Sequence, residues 1–284
     1  MERDTRTYCQ DKAAPAGSNR YYAIRMAEPG QRDNLLAVHA LYLELTGIPL
    51  EVSEPGVAAA KLDWWREEIR RSREGEARHP VARLVEPLLG SEANLTDCLD
   101  LADGVALDLD YGAYPSFREL ADYCHATGGP FGRLLARVCG QPGDDTTAYS
   151  HDLGMGLRLQ ELLMMTRHHA RHGRCYLPED EMRAAGVKRR ELMADSASDA
   201  LRNVFRGQAE RIHTLLGRAE EHLDNEQRRR QRSNIALAAL YRALLAEVGR
   251  SNFPLLEERQ ELTPLRRLWI AWRASRRAAR RSAW

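Results

Sequence analysis

Apolar residues recur along most of this chain three and four positions apart, and no segment keeps up the two-residue alternation of a sustained strand. In 199–223, Ala200, Val204, Ala209, Ile212, Leu215, Leu216 and Leu223 mark one stripe, which predicts an amphipathic helix. Within 233–248 the run IALAALYRALLAEV is apolar nearly all round, as in a helix surrounded by others. Pro49, Pro55, Pro80, Pro115, the Gly140–Gly143 stretch, Pro178, Pro254 and Pro264 punctuate the helical runs. Ser116 and Glu119 form an S-x-x-E capping box that opens a helix toward Tyr123. No repeat, low-complexity segment or long linker divides the chain, so 1–284 reads as one domain.

Composition sharpens the fold class. Six Ile, ten Val and ten Thr stand against abundant Ala, Leu, Arg and Glu, a balance that favours helices over strands and predicts an all-α protein. With 284 residues, 43% hydrophobic and 29% charged, the chain can bury a large core and is not wholly disordered. A net charge of +1 excludes a globally basic nucleic-acid binder, and no nucleic-acid motif is present. Cys9, Cys98, Cys124, Cys139 and Cys175 include no CxxC pair and read as reduced core thiols. The longest clean apolar run, Ile235–Leu240, is far short of the roughly 20 residues of a membrane span. The start, MERDTRTYCQDK, is charged where a signal peptide is apolar. A cytoplasmic location is the expectation.

The specific signals come in order along the chain: RYYA (20–23), KLDWWREEI (61–69), HPV (79–81), ADGVALDLDYGAYPSFRELADYCHATGGPFGRLLARVCG (102–140), GLRLQELL (156–163) and ARHGRCYLPEDEMRAAGV (170–187). This ordered set resembles the squalene and phytoene synthase family, the head-to-head branch of the isoprenoid synthase fold. The resemblance implies a helical bundle around a central cavity. It also implies two DxxxD segments facing each other across that cavity, where carboxylates spaced by four share a helix face and hold Mg²⁺ against a substrate diphosphate.

The positions that match those segments here are Thr46 and Leu50, and Met165 and His169. None is a carboxylate, and Pro49 is expected to interrupt the first helix. Of the nearby acids, Glu51 and Glu54 read as turn residues, and Glu44 faces away from Thr46. Glu161 shares the face of Met165, so a Mg²⁺ site is expected only if one is rebuilt around Glu161; otherwise no cofactor and no metal is expected. The second segment is basic instead, with Arg167, His168, His169, Arg171, His172 and Arg174. Three readings stand beside each other there: a transition-metal pair at His168 and His172, an anion site, or the solvated end of a helix that stops at Gly173. Arg20, Tyr21, Tyr123, Glu161, Arg167, His169 and Arg174 are the candidate ligand contacts, the ligand being an isoprenoid or another lipid.

ELTGIPLEVSEP and MMTRHHARHGRCYLP are also similar to the divergent branch of the family that includes mitochondrial complex I assembly factors. That similarity implies a non-catalytic assembly or accessory role with a protein partner. The alternative is a noncanonical prenyltransferase that manages diphosphate with Arg and His. At the C-terminus, a basic amphipathic helix is expected over about 264–284, with Leu265, Leu268, Trp269 and Trp272 on one face, seven Arg, and no acid after Glu261. It suits an anionic membrane at the inner face, or else a terminal helix packed on the domain through Leu268 and Trp269. The run Arg228–Arg232 reads as a solvated loop. Trp64 and Trp65 read as packing residues, and Gly128–Gly129 as a point of close helix contact.

Overall fold

The helical spacing becomes helices throughout. The computed structural model describes residues 2–52, 54–140, 147–257 and 260–280. The main helices are α1 (Glu2–Ala13), α2 (Asn19–Arg25), α3 (Arg32–Glu51), α4 (Pro55–Arg73), α5 (Pro80–Val85), α6 (Glu92–Ala106) and α7 (Phe117–Val138). They continue as α8 (Thr147–Met164), α9 (Thr166–Arg171), α10 (Glu179–Ala184), α11 (Asp199–Glu221), α12 (Asn225–Arg230), α13 (Arg232–Arg250) and α14 (Pro264–Arg280). Among the described residues the one pairing of extended chain is a bridge between Ala113 and Cys175. The fold is an all-α, isoprenoid-synthase-type helical bundle.

The core follows the most apolar helices. α7 packs along α8 and α6, α8 also along α11, and α13 along α2 and α14. The α7–α8 contact is a backbone-to-backbone one. A Cβ on Gly154 would lie 1.8 Å from the Gly128 carbonyl oxygen, and one on Gly132 would lie 2.0 Å from that of Ser150. Of the expected Gly128–Gly129 pair, only Gly128 is in this contact; a Cβ on Gly129 would meet the flexible end of Arg133 at 3.4 Å. All five cysteines are buried and free, and burial pushes the Cys98, Cys124 and Cys139 thiols up to about 12. Trp65 is buried and Trp64 is exposed.

Several local expectations need correction. α3 runs on through Pro49 to Glu51, because a proline two residues from the helix end forfeits only one backbone hydrogen bond. The buried stripe of α11 is Leu201, Val204, Phe205, Gln208, Ile212, Leu216 and Ala219; Ala200, Ala209 and Leu215 lie at its edge. Phe205 and Gln208 shift the stripe, a polar side chain having been left out of a purely apolar pattern. Arg228–Arg230 are helical, in α12, since Asp224 caps that turn by accepting from the Gln227 N–H. Ser116 caps α7 by accepting from the Arg118 N–H at 3.1 Å, while Glu119 bonds the Ser116 hydroxyl instead of the backbone. α14 packs through Ala271, Ala274 and Ala278, not through Leu268 and Trp269, which are exposed: three alanines let the helix axis approach α13 more closely than bulky residues would.

The α7–α8 contact yields a paired prediction. Gly132→Ala should lower the thermal unfolding midpoint, since overpacking costs about 1–3 kcal/mol, or roughly 2–10 °C. Gly129→Ala, a few residues away on the same helix, should leave the midpoint unchanged or raise it through helix propensity. Circular dichroism melts of both variants check this. Equal behaviour of the two would show that the helices do not touch where the geometry puts them.

Candidate functional site

Within α8 the segment GLRLQELL sets two charges, Arg158 and Glu161, into an otherwise uncharged run, three residues apart and so on one helix face. Both side chains are buried or nearly so. Glu161 answers two guanidiniums: Arg158 Nη1 donates to Oε2 at 3.1 Å, and Arg20 Nη2, from α2, donates to Oε1 at 3.2 Å. The Tyr42 hydroxyl, from α3, donates to Oε2 at 2.7 Å. Burial alone would raise the Glu161 pKa; Arg20, Arg158 and Tyr42 outweigh it and hold the carboxyl below its ordinary range. Arg158 also donates to the Tyr123 hydroxyl at 2.5 Å and lies over the Tyr42 and Tyr123 rings, 5.9 and 5.2 Å from their centroids. Two fixed positive charges thus share one carboxylate.

A second network adjoins the first. Buried Asp108 accepts from the hydroxyls of Tyr114 at 2.7 Å and Tyr176 at 2.5 Å, and from Arg174 Nη1 at 3.0 Å. Burial dominates its titration and raises its pKa despite these donors. The Tyr123 ring stacks on Tyr114 and Tyr176, with centroids 5.4 and 6.0 Å away. Tyr42, Tyr114, Tyr123, Tyr176 and Arg158 therefore occupy the space between α3, α7 and α8.

The positions that the resemblance assigns to the DxxxD segments have separate surroundings. The Thr46 hydroxyl turns back to donate to the Tyr42 carbonyl at 2.8 Å. Leu50 is half-buried and Met165 is exposed. His169 is buried with its ring edge-on to Tyr176, centroids 4.7 Å apart. Among the described residues no three His, Cys, Asp or Glu side chains converge. With both Glu161 oxygens accepting from cations or a hydroxyl, these residues do not fit a Mg²⁺ site. His168 and His172 bring their rings within 4.5 Å, but His172 Nδ1 lies 2.9 Å from the His168 carbonyl and serves it.

A half-open cleft of about 1080 Å³ lies beside this cluster. Arg20, Gln160, Glu161 and Met164 form its inner wall. Met165, Arg167, His168 and Arg171 form another side, and Leu244, Leu255, Leu256 and Arg267 the apolar and far side. Lys12 stands at the edge, shared with Glu44 and Glu51. Of the cleft's acids, Glu257 is bound by Arg202 and Glu261 by Arg267. Arg20 Nε, Gln160 Oε1, Arg167 Nε and Arg267 Nε are buried without a hydrogen-bond partner among the described residues.

Of the candidate contacts, Arg20, Glu161 and Arg167 come together in this cleft. Tyr21 instead packs edge-on to Tyr22 and accepts from Arg25, and Tyr123 belongs to the tyrosine stack. His169 faces Tyr176, and Arg174 binds the Pro49 carbonyl and Asp108, so the basic segment splits into an inward and a cleft-facing half. The solvated-end reading fails for His169, which is buried. The sequence reading missed Arg158 and Tyr42. Their signal was Arg158 itself, a charge inside an apolar helical run that has to find partners.

His169 gives a pH prediction. Burial, reinforced by the charge of Arg158, lowers its pKa from 6.5 to about 3. The unfolded chain takes up the proton below pH 6.5 and the folded chain does not, so this contribution is intact above 6.5 and is lost as pH falls. At pH 5 the loss is about 2 kcal/mol, or roughly 4–8 °C. His169→Gln should show a correspondingly smaller drop in unfolding midpoint between pH 7 and 5 than the unaltered protein. Parallel drops would mean that His169 is solvated.

A model of the squalene/phytoene synthase family matches residues 13–269. A phytoene synthase of Mycobacterium tuberculosis is 28% identical over 265 residues, covering 90% of this chain and 85% of that protein. A presqualene diphosphate synthase of Zymomonas mobilis is 27% identical over 262 residues, covering 90% and 88%. A dehydrosqualene synthase crystallised with a ligand superimposes over 97% of both chains with a TM-score of 0.79 at 18% identity. A squalene synthase from Alicyclobacillus acidocaldarius does so over 89% of this chain and 95% of its own with a TM-score of 0.71 at 20% identity. The two superpositions speak for the fold; the family match, which spans nearly the whole length, speaks for descent, and the chain belongs to the squalene/phytoene synthase family.

Proposed function

We propose that this protein binds an isoprenoid or similar lipid with an anionic end in the cleft beside Glu161, and that it holds this ligand instead of condensing two of them by the Mg²⁺-dependent route. One observation carries the reading: Arg20 and Arg158 share a single carboxylate, which leaves the buried cluster one negative charge short. A phosphate or diphosphate at Arg20 supplies that charge, and Arg167, His168 and Arg171 stand on the same cleft to bind it. Met164, Met165, Leu244 and Leu255 offer apolar surface to the hydrocarbon chain. The cationic wall takes over the charge neutralisation that bound metals supply elsewhere. The similarity to complex I assembly factors supports an accessory role, in which the protein serves a protein partner.

A second reading is a prenyltransferase in which Arg167, His168 and Arg171 withdraw charge from a departing diphosphate without metal. The same residues favour it, and one experiment separates the two. Purified protein is incubated with farnesyl or geranylgeranyl diphosphate, with and without Mg²⁺ and NADPH. Binding is followed by calorimetry, and turnover by released pyrophosphate and extracted products. Saturable binding that persists in EDTA, without turnover, is the expected result; product formation would overturn the binding reading, and the absence of binding would overturn both. Arg167→Ala/Arg171→Ala should weaken binding by about tenfold or more, as lost hydrogen bonds to a charged group cost about 1.5–3 kcal/mol.

A further inference from the structure

α14 meets the rest of the protein with three alanines and a partly buried Ile270, and turns its Leu and Trp side chains outward. Ala271, Ala274 and Ala278 are buried against the bundle. On the opposite side Leu265 is 81% exposed, Leu268 45%, Trp269 52% and Trp272 49%. At about 100° per residue these four fall within an arc of roughly 100°, a continuous apolar stripe. Arg273 and Arg276 are folded over it, their guanidinium carbons 5.0 and 5.2 Å from the Trp269 and Trp272 ring centroids. Three further arginines of the helix point elsewhere, Arg266 to Glu247, Arg267 to Glu261 and Arg277 to Glu220. No acidic residue occurs in α14.

We propose that this outer face of α14 docks on an anionic lipid bilayer. Exposed Trp and Leu in one stripe, bordered by Arg, are what the boundary between headgroups and acyl chains accommodates. The indole rings lie at the boundary, and the guanidiniums move from the rings to the phosphates. Charge argues against a second copy of this chain as the occupant, because a two-fold pairing would set Arg273 and Arg276 against each other with no acid on either helix. No helix among the described residues is long and apolar enough to cross a membrane, so the contact lies in the plane of the surface.

The first turn of α14 also borders the cleft through Pro264 and Arg267. A bilayer on the outer face therefore lies beside the cleft, and a lipid passing from one to the other stays close to apolar surface. This orientation of the cleft rests on the function proposed above; the docking does not.

The test is co-sedimentation of the full-length protein with vesicles of phosphatidylcholine alone and of phosphatidylcholine containing phosphatidylglycerol. Binding to the anionic vesicles, weakened by salt, is expected. Trp269→Ala/Trp272→Ala should abolish it without moving the unfolding midpoint, since both side chains are half exposed. Arg273→Gln/Arg276→Gln should weaken it by roughly thirtyfold, at about 1 kcal/mol per arginine near the surface. Arg167→Ala/Arg171→Ala, in the cleft, should leave it intact. Failure to sediment with anionic vesicles, or sedimentation that the α14 variants leave unchanged, overturns the proposal. A dimer in analytical ultracentrifugation that the Trp substitutions dissociate, with no vesicle binding, overturns it in favour of a second copy. Vesicle binding alongside an empty calorimetric titration with farnesyl diphosphate would remove the cleft reading and leave the docking standing.

Discussion

Arg158 cannot shed its proton, so its burial obliges everything around it to answer a fixed positive charge. Glu161 supplies the counter-charge from the next turn of the same helix, and Tyr42 and Tyr123 supply a hydroxyl and a ring face each. Those partners come from α3 and α7, and Glu161 in turn fixes Arg20 of α2. One guanidinium thereby ties four helices into one arrangement. Removing a partner from such a buried pair costs about 3–5 kcal/mol, while an isolated surface bridge on this protein, such as Arg73 with Glu92, is worth at most about 1 kcal/mol. The tyrosine stack over Asp108 extends the same logic, since each ring that shields Arg158 brings a hydroxyl that needs an acceptor or a donor.

That obligation shapes what the interior can do. A carboxylate already shared by two guanidiniums and a phenol is a poor ligand for Mg²⁺, which demands near-octahedral oxygen coordination and keeps several waters. An anion that approaches Arg20 meets a guanidinium that this shared carboxylate only partly neutralises. The space filled by Tyr42, Tyr114, Tyr123 and Tyr176 is denied to a ligand, and a cleft of about 1080 Å³ lies on the side of Arg20, Arg167 and Arg171. Packing and electrostatics therefore place the open volume and the excess positive charge at the same spot.

The sequence disclosed the fold because its determinants are distributed and local. Helical spacing, breakers such as Pro115 and Pro264, and a cap at Ser116 each act within a few residues. The site was legible only where a residue's own neighbours betrayed it. Arg20, Glu161 and Arg167 do meet, but Tyr123 and Arg174 turned out to be consumed by partners far along the chain, Arg158 and Asp108. No local pattern reports that consumption, because a hydroxyl satisfied across a gap of 35 residues looks the same in sequence as a free one. The same blindness affected α14, whose moment shows that it has two faces but not which one is wet. Three alanines decided that, by allowing a closer approach than Leu268 and Trp269 would.

The four positions that the resemblance sets against the family's carboxylates add no negative charge. Thr46, Leu50 and Met165 carry none, and His169 is held neutral by burial beside Arg158. With Arg20 and Arg158 sharing Glu161 alone, the cluster keeps a surplus positive charge. On the reading proposed above, that surplus is the binding determinant: an anionic headgroup replaces, in the cleft beside Arg20, the counter-charge that the protein itself does not provide.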